Sequence, residues 1–149
     1  MLKNLADAVR FMDNEWLASF ATVNAEGKPH VVPVWFTYEN DKVHVQTDRK
    51  STKVRNLKQN GNVAVVVCRE EEAVLIQGVG KIIEDEKKFV RLTQCHIDKY
   101  NHLFNVARGT TDVEYIKLDE QGRDNMGVPL FDFKVRCVVE VIPEKIRFW

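Results

Sequence analysis

The residues most able to do chemistry lie in one short run. Between Thr47 and Lys58 the chain reads TDRKSTKVRNLK, and Arg49, Lys50, Lys53, Arg55 and Lys58 follow one another with no acidic residue among them. Val54 and Leu57 share one face, Ser51 or Thr52 stands where a helix N-cap belongs, and Gly61 stands where a C-terminal glycine belongs, so a short helix is expected over 51–60. Cations in a first helical turn meet the positive end of the macrodipole and are disfavoured by roughly 0.3 to 1 kcal/mol each. Something negative should compensate. Free backbone N–H groups, the hydroxyls of Ser51 and Thr52 and the ammonium of Lys53 are together the donor set that a phosphate monoester accepts. A solvated basic helix face is the competing reading, and charge alone leaves both open.

The chain around this run is electrically neutral. Lysine plus arginine number 22 and aspartate plus glutamate 22, so no global field recruits nucleic acid or an anionic membrane. A length of 149 residues with 44% hydrophobic and 30% charged residues is ordinary for one globular domain. No stretch approaches the roughly 20 apolar residues of a membrane helix, and Met1 to Arg10 lacks the pattern of a secretory signal. A cytoplasmic location is therefore expected. Cys68, Cys95 and Cys137 are too scattered for a metal or dithiol site and read as reduced, mostly buried thiols. Cys95, His96 and His102 form the one group that resembles metal ligands, but they lack a second cysteine or an acidic partner, so packing is favoured over zinc.

The elements that must position the basic run are mostly strands. Leu2 to Met12 has the three- and four-residue spacing of an amphipathic helix. Trp16 to Val23 and Lys28 to Tyr38 read as strands joined by the turn Asn24-Ala25-Glu26-Gly27, with Pro29 and Pro33 confining the second arm to an edge, bulge or bend. Lys42 to Thr47 is a third strand. Asn62 to Cys68 and Val74 to Glu84 form a second hairpin, in which Gly78 and Gly80 leave room for close backbone approach. Asp85 to Tyr100 reads as a helix with a further turn or two over 103–107. Val113 to Leu118 and Phe133 to Ile142 complete six or seven antiparallel strands, whose edges are most simply resolved by closing into a β-barrel with peripheral helices. The polar loop from Asp119 to Pro129 is either mobile or covers a site.

In order, Ala21-Thr22, Gly27 to Pro33, Thr47, Ser51-Thr52-Lys53 and Asn56-Leu57 resemble the signature half of the pyridoxamine 5'-phosphate oxidase-like, FMN-binding split-barrel family, over roughly Leu17 to Val67. The resemblance implies a mainly β, six- or seven-stranded split barrel, with FMN in the cleft of a homodimer. Carried over by position, Pro33, Val34 and Trp35 run beside the isoalloxazine, and Thr47 lies near the ribityl chain or pyrimidine edge. Ser51, Thr52 and Lys53 hold the phosphate with help from Arg49 or Lys50. Gln77 and Trp149 resemble groups that approach the flavin from the partner subunit or the dimer cleft. For Trp149, pinning a terminal strand explains the aromatic residue equally well.

One departure narrows the activity. The true oxidases of that family carry an arginine and histidine cluster near the C-terminus, whereas this chain has no histidine after His102. Oxidation of the vitamin is thus not expected. The resemblance leaves an FMN-dependent oxidoreductase acting on a small organic substrate with a reduced electron donor. Its alternatives are a deazaflavin-dependent reductase, whose basic groove would extend through Arg55 and Lys58, and a flavin-binding sensor or storage module without turnover.

Overall fold

The computed structural model describes residues 1–149. Its order is α1 (Leu5–Asp13), β1 (Ala18–Val23), β2 (Pro29–Val34), β3 (Thr37–Glu39), β4 (Lys42–Asp48), α2 (Thr52–Leu57), β5 (Asn62–Arg69), β6 (Glu72–Ile82), α3 (Glu86–Arg108) and β7 (Arg136–Phe148). The seven strands form one sheet in the order β2-β1-β5-β6-β7-β4-β3, and every pairing is antiparallel. The expected architecture is therefore present: a mainly β, curled split barrel with three helices.

The barrel's inner faces are supplied by alternate residues, as the period-2 strand pattern demands. Phe20, Val43, Val45, Val65, Val67, Ile76, Val139 and Val141 are buried there together with Phe36. Helix α1, capped by the Asn4 side chain accepting from Asp7 N at 2.9 Å, adds Ala8, Phe11 and Met12 to the same core. Helix α2 adds Val54 and Leu57. At roughly 1.5 to 3 kcal/mol for each fully buried large aliphatic or aromatic side chain, this cluster supplies the main drive for closure. Gly78 of β6 is sterically required, whereas a side chain at Gly80 would have to displace Leu57. A Cβ on Gly78 would lie 2.1 Å from the Ile142 carbonyl oxygen, beside the register shift between Gln77 and Gly78, and one on Gly80 would lie 2.8 Å from Leu57 Cδ2.

Several boundaries differ from the sequence expectation, each for a physical reason. The arm expected over 28–38 breaks at Trp35 and Phe36 into β2 and β3, which occupy opposite edges of the sheet. Pro29 and Pro33 lie on β2, whose single partner is β1, so the expected edge placement holds. Helix α3 runs without interruption to Arg108, where Gly109 ends it in the left-handed conformation (φ 65°). The strand expected over Val113 to Leu118 does not form. Its backbone groups go instead to α3 side chains: Asn105 takes Val113 through both N–H and C=O, and Asn101 Oδ1 accepts from Ile116 N at 2.7 Å. The last strand starts later than Phe133 and continues to Phe148. Of the three free cysteines, Cys137 is buried, Cys95 half-buried and Cys68 exposed. No helix is long and apolar enough to cross a membrane.

Candidate functional site

Strand β4 is the backbone of the site, because it is covered on both faces. Val43, Val45 and Thr47 face the barrel core, while His44 and Gln46 are buried on the other side. Thr47 pairs with Cys137 and Asp48 with Arg136, so the end of β4 and the start of β7 deliver their side chains to the same place as the start of α2. There Ser51 is the N-cap, its Oγ accepting from Val54 N at 3.4 Å. The N–H groups of Lys50 and Ser51 are taken by Asp48, the first through Oδ1 at 2.7 Å and the second through the carbonyl at 3.1 Å. The next two, of Thr52 and Lys53, open the first turn of α2, where the helix itself supplies no acceptor.

Two cations converge on this turn. The Lys53 ammonium is half-buried with no carboxylate in salt-bridge range; burial lowers its pKa, and the nearby Arg136 lowers it further. Arg136 is also half-buried and also lowered by burial, against the pull of Asp48. Its guanidinium donates twice to the neutral Gln46 Oε1, at 3.0 and 2.7 Å, and Gln46 Nε2 in turn donates to the Leu130 carbonyl at 2.6 Å. Neither charge is neutralised by an ion pair. Partly buried cations left in this state favour an anionic partner, since burial strengthens their field and penalises their isolation.

The remaining predicted residues separate into near and far. Arg49 belongs to the neighbouring loop: its Nε donates to the Phe133 carbonyl at 2.7 Å, and its guanidinium lies 4.5 Å from the Phe133 ring centroid. Lys50 is exposed. Pro33 is exposed, Val34 buried and Trp35 half-buried at the end of β2. Gln77 is exposed on β6 opposite Ala64 and Lys145. Trp149 exchanges backbone hydrogen bonds with Ala73, both at 3.1 Å.

Beside Arg136 opens a cavity of about 620 Å³ between α3, the outer face of β4 and β7, and the connection over 110–135. Trp35 enters it with one face stacked on Tyr100, at 4.0 Å between centroids and 8° between planes. His96 enters from α3; burial lowers its pKa to about 4, so the imidazole is neutral at ordinary pH. It makes no hydrogen bond, and its Nδ1 is sealed from solvent. The loop from Asp119 to Pro129 contributes Asp124, Asn125, Met126 and Val128 to the lining. Gln46, His96 and Arg136 were not expected here from the sequence. Arg136 and Gln46 occupy polar alternation positions of their strands, and a polar residue at such a position ordinarily reads as solvent-facing.

Comparison with known proteins agrees with this geometry. Residues 6–125 match the family described as Pyridoxamine 5'-phosphate oxidase. The 5a,11a-dehydrotetracycline/5a,11a-dehydrooxytetracycline reductase of Streptomyces rimosus is 34% identical over 86 residues, covering 50% of this chain; the chain spans 61% of that relative's length. Among solved structures, the conserved hypothetical protein Rv2991 from Mycobacterium tuberculosis superposes with a TM-score of 0.75 at 20% identity, over 100% of this chain and 86% of that one. HutZ, the heme storage protein from Vibrio cholerae, superposes with a TM-score of 0.67 at 14% identity, over 96% and 92%. The split barrel, the order of elements around the α2 turn and the match over 6–125 place the chain in the pyridoxamine 5'-phosphate oxidase family.

Proposed function

We propose that the chain is an FMN-binding oxidoreductase that grips the cofactor's phosphate at Ser51, Thr52 and Lys53 and reduces or oxidises a small organic substrate. The observation that carries this reading is the pair of half-buried, unpaired cations, Lys53 and Arg136, beside the first-turn N–H groups of Thr52 and Lys53. A dianionic phosphate satisfies both the charges and the donors. Bound flavin supplies hydride and electron transfer itself. The protein's residues do the rest. Lys53 and Arg136 neutralise the phosphate, Thr47 lies next along β4, and the segment Pro33-Val34-Trp35 offers an edge for the ring. Exposed Gln77 and Trp149 complete the site from the second copy of a homodimer, the commonest symmetric assembly. The likeness to a reductase supports the redox assignment, and the electron donor on this reading is a nicotinamide or another reduced carrier.

Two other cofactors fit parts of the same picture. A deazaflavin with a longer anionic tail would use Arg55 and Lys58, both exposed further along α2. Heme is the cargo of one protein of this fold. Titration of the purified protein with FMN, a deazaflavin and hemin, read by fluorescence quenching and absorbance, separates the three. FMN bound at micromolar or tighter Kd, together with a dimer in sedimentation, is the expected result. Failure to quench FMN fluorescence sinks the flavin reading, and a monomer that retains bound flavin sinks the shared cleft.

A further inference from the structure

We propose that the cavity between α3 and the outer face of β4 and β7 is the substrate subsite of this protein, and that its substrate is a planar, conjugated organic anion. Its role as a substrate site rests on the flavin reading above; its ligand preference does not.

Size comes first. About 620 Å³ lies in the range of small-molecule sites and admits a ligand of two or three fused rings. The walls are aromatic: Trp35, Phe104 and Tyr115 line it, with Phe104 6.2 Å from Trp35 and 5.6 Å from Tyr115 between centroids. Flat rings on several sides select a flat ligand, which gains stacking that a saturated one does not.

Charge comes second. Arg108 and Arg136 both line the cavity, and neither forms an ion pair. Arg108 is held over the rings of Tyr115 and Phe104, at 4.7 and 5.5 Å from their centroids, so its guanidinium is positioned without being neutralised. The opposing carboxylate, Asp124, is occupied by the loop's own backbone, its Oδ1 accepting from Met126 N and Val128 N, both at 2.9 Å. His96 contributes no charge. In the cofactor-free protein the lining is thus net positive by one, and with Arg136 turned to the flavin phosphate, Arg108 is the guanidinium left for a carboxylate, enolate or phenolate. His96 lines the cavity as a neutral ring with no hydrogen-bond partner in the protein, and because its Nδ1 is sealed, Nε2 is the ring nitrogen left for a ligand oxygen.

The test compares 2-naphthoate with 2-naphthamide, the same rings without the charge, by calorimetry on the full chain before and after saturation with FMN. Naphthoate is expected to bind about tenfold or more tighter than the amide, the usual scale of one charge-assisted contact. Arg108→Gln, at an exposed position that leaves the core intact, and His96→Leu are each expected to weaken naphthoate about tenfold, with FMN binding unchanged. Lys53→Ala is expected to leave naphthoate binding unchanged. Equal binding of acid and amide overturns the proposal. Displacement of naphthoate by FMN also overturns it, because the cavity would then belong to the flavin. If FMN does not bind at all, the naphthoate preference in cofactor-free protein still decides the cavity, so the two readings fail separately.

Discussion

The turn before α2 and the wall over 110–135 both expose charge that the protein does not neutralise, yet they are built in opposite ways. The first is nearly contiguous: Thr47 to Lys53 are neighbours in sequence presented by the α2 cap, and Arg136 alone comes from elsewhere. The second is assembled from Trp35, Gln46, His96, Arg108, Met126 and Arg136, brought together by β4, β7 and a long helix. A contiguous site survives loss of its surroundings, whereas an assembled one depends on the pins that hold its wall.

The strongest way to break that contrast is to remove a pin. Asn105 makes three hydrogen bonds to the loop, to Thr110 Oγ1 at 2.8 Å and to Val113 through N–H at 3.1 Å and C=O at 2.9 Å. Asn105→Ala is expected to destabilise the wall by about 3 kcal/mol, at about 1 per bond, seen as faster proteolysis within 110–135 while FMN affinity holds. Lys53→Ala should act on the other region alone, weakening FMN about 30-fold, or about 2 kcal/mol, with proteolysis unchanged. If both variants alter both readouts, the two regions are one unit.

Acid sharpens the comparison further. The unfolded chain protonates His96 near its ordinary value of 6.5, but the folded protein holds it neutral down to about pH 4. The unfolded state therefore binds more protons between those values, and stability falls as pH drops through that window, by about 2 kcal/mol at pH 5 from this residue. Burial also lowers the pKa of His44, against its 2.9 Å contact with Glu140, so part of the slope belongs there. His96→Phe should flatten the slope of denaturation midpoint against pH, and an unchanged slope would show that His96 does not carry it. Last and smallest, Lys58→Ala should change neither FMN affinity nor stability by more than about 0.5 kcal/mol, because Lys58 is exposed beyond the last helical turn.

The same contrast explains what the sequence revealed. Alternating Val43, Val45, Val139 and Val141 announced barrel strands, and Pro29 and Pro33 announced an edge, because both signals are local. The basic run before α2 was readable for the same reason. The cavity was not. Gln46 and Arg136 sit at positions that ordinarily face water, and α3 with the 110–135 connection covers them. Val113 to Leu118 has strand composition, but Asn101 and Asn105 capture its backbone first, a competition between side chain and ladder that composition does not register. Trp35-Phe36 read as the middle of a strand because nothing local announces that β2 and β3 belong to opposite sheet edges.

That break also determines how the barrel comes apart. Where β2 meets β3, no strand ladder joins the two edges; the seam is two residues of chain, and its polar groups are held from α3. Tyr100 Oη accepts from Phe36 N at 2.8 Å and donates to the Trp16 carbonyl at 2.7 Å, while Lys99 Nζ donates to the Phe36 carbonyl at 2.9 Å. Helix α3 is therefore the clasp of the barrel as well as a wall of the cavity. The same turn of α3 thus fastens the seam through Lys99 and Tyr100 and carries His96 into the cavity.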